Sequence, residues 1–151
     1  MLWQIELGIY QTAARYEDTI RKSDPHISIT KNAEVLLRSP DFICEPKRQI
    51  VTLTDVSIRE LGFGGGAQYE RILEYAENKR LRACPLEIGP AFRLAYRAQV
   101  NDQGLVIASK ASGGRLFQIY RDSLSLTLGS ISLPRDQFLW DSGTRLMFIQ
   151  Y

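Results

Sequence analysis

Four polar residues around the middle of the chain have the types and spacing needed for chemistry. They are Tyr69, Glu87, Arg93 and Tyr96. An arginine there can hold an anion and a glutamate can act as an acid or a base, which predicts a small polar pocket at a helix–sheet junction. The alternative is structural: Glu87 pairs with an arginine to fix the chain between Pro85 and Pro90, and the two tyrosines are core residues with polar tips. The four residues are therefore candidate binding residues, and no catalytic residue is assigned.

Other catalytic arrangements find little support in the sequence. His26 is the single histidine, and no Gly-x-Ser-x-Gly elbow accompanies it, which argues against a Ser-His-Asp hydrolase. One histidine and two distant cysteines lack the close ligand pairs of a zinc site, so we expect no metal and no cofactor. Cys84 has no histidine nearby in sequence to activate it, and it is predicted to be a buried structural thiol.

Two further features have both a functional and a structural interpretation. Gly64-Gly65-Gly66 precedes a predicted helix, where anions can bind. Ala67-Gln68 follows instead of the Lys-Ser/Thr of a P-loop, so the glycines are predicted to form a flexible turn. Trp140 is predicted to pack in the core, with an exposed partner-binding residue as the alternative.

Composition limits the partners and the location. The chain has 151 residues, 44% hydrophobic and 24% charged, as in one folded domain spanning 1–151. The net charge is +2, and the basic run Lys79–Arg82 follows helix carboxylates, so tight nucleic-acid binding is not expected. No apolar stretch is long enough to span a membrane, and the N-terminus has no signal-peptide pattern. With two cysteines far apart, these features predict a cytoplasmic protein without a membrane partner.

Hydrophobic periodicity predicts an α+β fold, in which N-terminal helices pack on a C-terminal antiparallel meander of five to six strands. Predicted helices cover 2–22, 30–38 and 67–80, and a strand covers 50–56. The predicted meander strands are 92–99, 104–110, 115–121, 123–128, 137–140 and 144–150. Glycines between and within these strands allow barrel-like curvature. On a strand, Arg93 and Tyr96 would face opposite sides, which weakens a joint role.

The central residues also resemble a family of small uncharacterised bacterial proteins. The resemblance is carried by Glu60-Leu61-Gly62-Phe63, Gly66-Ala67, Tyr69, Cys84-Pro85, Glu87, Gly89-Pro90, Arg93-Leu94 and Tyr96. It implies a single bacterial domain and supplies no activity. The chain departs from the family at Gln150-Tyr151, where the resemblance implies a basic tail.

These observations favour a non-enzymatic binding or interaction module, with a protein partner or a small anionic ligand. Two alternatives remain open. One is a small nucleic-acid-acting protein, such as a ribonuclease that needs no histidine. The other is a small-molecule-binding enzyme that uses Glu87 and Arg93.

Overall fold

The computed structural model describes residues 1–151 and contains ten strands and four helices. The strands are β1 (Leu2–Leu7), β2 (Ile27–Ile29), β3 (Gln49–Ser57), β4 (Ala67–Gln68), β5 (Leu81–Arg82), β6 (Gly104–Ile107), β7 (Arg115–Arg121), β8 (Leu126–Ser132), β9 (Phe138–Leu139) and β10 (Arg145–Gln150). The helices are α1 (Ala13–Arg21), α2 (Lys31–Leu37), α3 (Tyr69–Asn78) and α4 (Ile88–Ala95).

Eight of the strands form one mixed sheet that curls into a half-barrel. Its order is β1-β3-β10-β6-β7-β8-β2, and β5 pairs with β10 beside β6. The pairs β10–β6 and β8–β2 are parallel, and the other pairs are antiparallel. The α+β class is thus confirmed, whereas the predicted antiparallel meander of five to six strands is wrong in both strand number and direction.

The predicted helix 2–22 is a strand followed by a shorter helix. Ile5 and Leu7 are buried, Trp3 is half-buried and the residues between them are more exposed, which is the two-residue period of β1. Gly8 then takes a left-handed φ of 76°, and Thr12 caps α1 by accepting a hydrogen bond from the Arg15 N–H at 3.2 Å. The apolar residues of this stretch fit both the two-residue period of a strand and the 3.6-residue period of a helix. Their spacing alone therefore did not reveal where the strand ends and the helix begins.

The predicted strand 92–99 is wrong, because helix α4 covers its first half. Six of its eight residues, Ile88 to Arg93, are buried, and so short a buried run cannot be assigned to a helix or a strand from its apolar spacing alone. Gly89 permits this burial, since a Cβ there would lie 2.4 Å from the Phe117 ring. By contrast, α2, α3, β3 and β7 lie close to their predicted positions, and Thr30 caps α2 as predicted.

Two hydrophobic cores lie on the sheet. The larger core includes residues of α1, α2 and α4, such as Ile20, Leu36 and Phe92. The smaller core includes Ile72 of α3 and Phe148 of β10. None of the helices has the length and apolar character needed to cross a membrane.

Gly66 marks a close contact rather than a flexible turn. Its φ is 88°, and a Cβ there would lie 2.4 Å from the Leu139 carbonyl oxygen, because β4 and β9 pair at this point. Gly65 has an ordinary φ and no atom within 4 Å of such a Cβ. The two neighbouring glycines therefore differ in what the fold requires of them.

We expect Gly66→Ala to lower the free energy of unfolding by about 1–3 kcal/mol, through a backbone clash and a left-handed φ. Gly65→Ala is the matched control and should change it by less than about 1 kcal/mol, in the stabilising direction. Urea titration of both variants measures the difference. Equal midpoints would show that the contact between Gly66 and β9 relaxes without strain.

Candidate functional site

Glu87 lies fully buried at the start of α4, where its carboxylate joins three separate parts of the chain. Its Oε2 accepts hydrogen bonds from the Gly8 N–H, at 2.8 Å, and from the Tyr16 hydroxyl. Its Oε1 accepts one from the Glu45 N–H at 2.8 Å. Burial, and then the Glu87 carboxylate, raise the pKa of Tyr16 above its ordinary value. Glu87 therefore ties the end of β1, helix α1 and the loop 38–48 together.

Arg93 is also fully buried, yet it forms no salt bridge. Its Nη1 donates to Gln99 Oε1 at 2.6 Å and to the carbonyl oxygens of Tyr120 and Thr127 at 3.2 and 3.4 Å. Its Nη2 donates to the Tyr96 carbonyl oxygen. Burial lowers the pKa of Arg93 to about 10, so the guanidinium is still charged at neutral pH. The predicted pairing of Glu87 with an arginine is absent, because backbone and amide dipoles surround this cation instead.

The two tyrosines have their polar tips engaged inside the protein. Tyr69 is buried, and its hydroxyl donates to the Ser109 carbonyl oxygen at 2.6 Å. Burial raises the pKa of Tyr69. Tyr96 is half-buried, stacks on Phe92 and donates to Gln103 Oε1 at 3.2 Å. Of the four predicted residues, only Arg93 and Tyr96 form a hydrogen bond with each other, and a binding role for any of the four stays a prediction.

A cleft of about 880 Å³ opens beside the Cys84-Pro85-Leu86 segment. We call it the motif cleft. Residues of loop 38–48 and of the segment 82–86 line it. Its apolar lining includes Leu7, Val51 and Ile149. Leu7 and Ile149 belong to the larger core and Val51 packs against it, so the edge of that core forms part of the cleft wall.

Charged side chains of both signs line the motif cleft. Asp41 and Glu45 come from loop 38–48, and Arg82 and Lys110 come from the sheet side. No salt bridge joins these cations to these carboxylates. Ser109 also lines the cleft, is 2% exposed, and its Oγ has no hydrogen-bond partner. The cleft thus presents charged groups of both signs, of which Asp41 accepts a hydrogen bond from the Ser112 hydroxyl at 2.8 Å and Arg82 lies over the Tyr151 ring.

Sequence reasoning missed this cleft because its charged residues come from three distant segments. The one available signal was Arg82, which the sequence places in a basic run rather than in a cleft. Arg82 comes near Lys110 only because β5 pairs with β10 and the backbone of Cys84 forms an isolated parallel β-bridge with that of Ser109.

The thiols near the cleft are poor nucleophiles. Cys84 is buried, its Sγ donates to the Met147 carbonyl oxygen at 3.4 Å, and burial raises its pKa. For Cys44, burial first and the charge of Glu87 second raise the pKa to about 11. Both cysteines are free thiols, and both stay protonated at neutral pH. His26 is exposed, and no three His, Cys, Asp or Glu side chains converge as metal ligands.

No family model, curated protein or solved structure matches this chain. The resemblance of the central residues to a bacterial family therefore stays a prediction.

Proposed function

We propose that the protein is a non-catalytic binding module that holds a segment of another polypeptide in the motif cleft. The segment carries an apolar side chain flanked by charges of both signs. The observation that supports this is the mixed lining of the cleft, in which apolar residues such as Leu7, Val51 and Ile149 occur together with the cations Arg82 and Lys110 and the carboxylates Asp41 and Glu45.

The state of the reactive residues favours binding over catalysis. Three internal donors occupy the Glu87 carboxylate, and four internal acceptors occupy Nη1 and Nη2 of Arg93, whose buried Nε has no partner. A general acid or base has to reach the proton that it transfers, and neither of these fully buried side chains reaches solvent. This argues against an enzyme that uses Glu87 and Arg93.

The charge arrangement favours a polypeptide over a purely anionic ligand. A small anion near Arg82 and Lys110 would also face Asp41 and Glu45, and like charges at one site disfavour binding. A phosphate backbone would meet the same carboxylates, so the nucleic-acid alternative gains nothing here. A peptide segment supplies both signs and an apolar group.

The proposal keeps the other predictions from the sequence. The module is a single bacterial domain, and two free cysteines agree with a reducing cytoplasm.

Selection from a random peptide library displayed on phage tests the proposal, followed by affinity measurement on the enriched peptides. We expect peptides with an apolar residue between an acidic and a basic residue. Lys110→Glu should weaken their binding at least tenfold, because it removes the partner of the acidic residue. Lys31→Glu, an exposed change on α2 outside the cleft, is the matched control and should leave affinity unchanged.

Two results would overturn the proposal. One is a selection without sequence enrichment, or binding that ignores Lys110→Glu. The other is submicromolar binding of a single-stranded RNA at low salt that fades with added salt and is lost in the double variant Arg80→Glu/Arg82→Glu. That second result would establish the nucleic-acid alternative.

A further inference from the structure

Trp140 is the most exposed aromatic side chain of the protein, at 73%, so the predicted core packing is wrong. It follows β9 directly, and its ring centroid lies 4.3 Å from that of Phe138 in a tilted arrangement. Phe138 is half-buried, and a large exposed aromatic side chain packed on such a neighbour is more typical of an interaction surface than of a solvated loop.

Two exposed glycines, Gly64 and Gly65, lie in the loop that leads into β4, the strand that pairs with β9. Gly66 contacts β9 closely, whereas Gly64 and Gly65 have ordinary φ values and free space where a side chain would be. Both glycines lie in a turn, and the lack of side chains leaves open space in the loop before Gly66. Glycine is typical where another backbone approaches closely. We call Gly64, Gly65, Phe138 and Trp140 the aromatic–glycine face.

Trp140 also differs from three other partly or fully exposed aromatic rings in lacking a cation. Arg71 lies over the Phe63 ring at 5.9 Å, Lys79 over Tyr75 at 5.5 Å and Arg82 over Tyr151 at 5.2 Å. Tryptophan is the aromatic side chain that binds cations best, yet no cation of this chain lies over Trp140.

Carboxylates flank the aromatic pair on both sides along the chain. Asp136 Oδ1 accepts from the Phe138 N–H, and Asp141 Oδ1 accepts from the Gly143 N–H, each at 3.0 Å. Both aspartates are exposed and form no salt bridge, so their Oδ2 atoms are free to accept from a ligand. Two arginines also lie close to these aspartates. Arg59 Nη2 donates to the hydroxyl of Ser142, the residue after Asp141, at 3.0 Å, and exposed Arg135 precedes Asp136 in the chain.

We propose that the aromatic–glycine face binds an arginine side chain of a partner protein. The guanidinium stacks on Trp140 and donates to Asp141, and the partner backbone passes over Gly64 and Gly65. Arginine suits this face better than lysine because its planar group both stacks on a ring and donates in a fork to a carboxylate. The face shares no residue with the motif cleft, so the inference is independent of the proposed function.

The test uses the blocked tripeptide acetyl-Gly-Arg-Gly-amide and its citrulline counterpart, which keeps the shape and loses the charge. Both are titrated into the ¹⁵N-labelled protein while the indole N–H signals of Trp140 and Trp3 are followed. We expect the arginine peptide to shift the Trp140 signal saturably and to leave Trp3 unchanged. The citrulline peptide should bind about two- to fivefold more weakly, which matches an exposed cation–π contact of about 0.5–1 kcal/mol.

Variants locate the contact. Trp140→Leu should abolish saturable shifts of the neighbouring backbone signals, and Asp141→Asn should weaken binding severalfold. Asp102→Asn changes an exposed carboxylate in a distant turn and should have no effect. Equal affinity for both peptides, or an unchanged affinity in Asp141→Asn, would overturn the proposal. So would a single-stranded DNA oligomer that shifts Trp140 at concentrations where the arginine peptide does not, because this would identify a base-stacking surface.

Discussion

Replacing Arg93 by alanine is expected to lower the free energy of unfolding by at least about 3 kcal/mol. The change leaves Gln99 Oε1 and the carbonyl oxygens of Tyr96, Tyr120 and Thr127 without their donor. Each buried polar group without a partner costs about 1–3 kcal/mol. The large side chain is also fully buried, so its removal leaves a cavity beside α4 and β8.

Urea or thermal unfolding followed by circular dichroism measures this effect. Lys110→Ala is the control, because this exposed side chain forms no hydrogen bond or salt bridge and its loss should change stability by less than about 0.5 kcal/mol. If the two variants unfold at the same urea concentration, water replaces the guanidinium at no cost, and Arg93 is more accessible than its burial indicates.

Glu87→Gln is expected to lower the free energy of unfolding by about 2–3 kcal/mol. The carboxylate accepts from Gly8, Tyr16 and Glu45, whereas a glutamine side chain has one acceptor oxygen and turns an NH2 group toward at least one of these donors. Hydrogen bonds to a charged group are worth more than neutral ones, so the loss exceeds that of an ordinary hydrogen bond.

Two companion variants make the Glu87 result specific. Tyr16→Phe removes one donor of the three and should cost about 1 kcal/mol. Glu45→Gln is the matched control, because the Glu45 side chain lines the cleft and only its backbone N–H contacts Glu87. A Glu87→Gln protein as stable as Glu45→Gln would show that the three donors do not depend on the carboxylate.

The sequence identified those elements whose ends are marked by local signals, such as a capping residue or a turn. Helix α2 begins at a threonine that caps it, and β7 lies between the turn Ser112-Gly113-Gly114 and Asp122. Strand β1 and helix α4 were missed because the apolar residues of each fit both a strand and a helix period. Burial in the tertiary structure decided which of the two each segment forms. The strand order was beyond local signals, since β10 pairs with β3 and β6 across long stretches of chain.

For the candidate site, residue type identified the polar residues but not their partners. Glu87 and Arg93 are both buried and charged, yet they are separated by almost two turns of a helix that the sequence had suggested to be partly a strand. The motif cleft depends on side chains whose proximity arises only after the sheet has formed. Trp140 was misplaced because an apolar residue at a turn is compatible with either a core or an exposed position.

The place of β10 has a consequence for how the protein is made. Strand β10 is the last strand of the chain, yet it lies between β3 and β6 and joins the two halves of the sheet. During synthesis, both halves of the sheet leave the ribosome before β10: β1 with β3 in one half, and β6, β7 and β8 in the other. Until β10 emerges, β3 and β6 each lack the strand that pairs with them in the finished sheet. The edges of β3 and β6 are then open to strands of other nascent chains. We therefore expect folding to finish only after β10 has emerged, and a ribosome that stalls before Arg145 to present two half-sheets with unpaired edges.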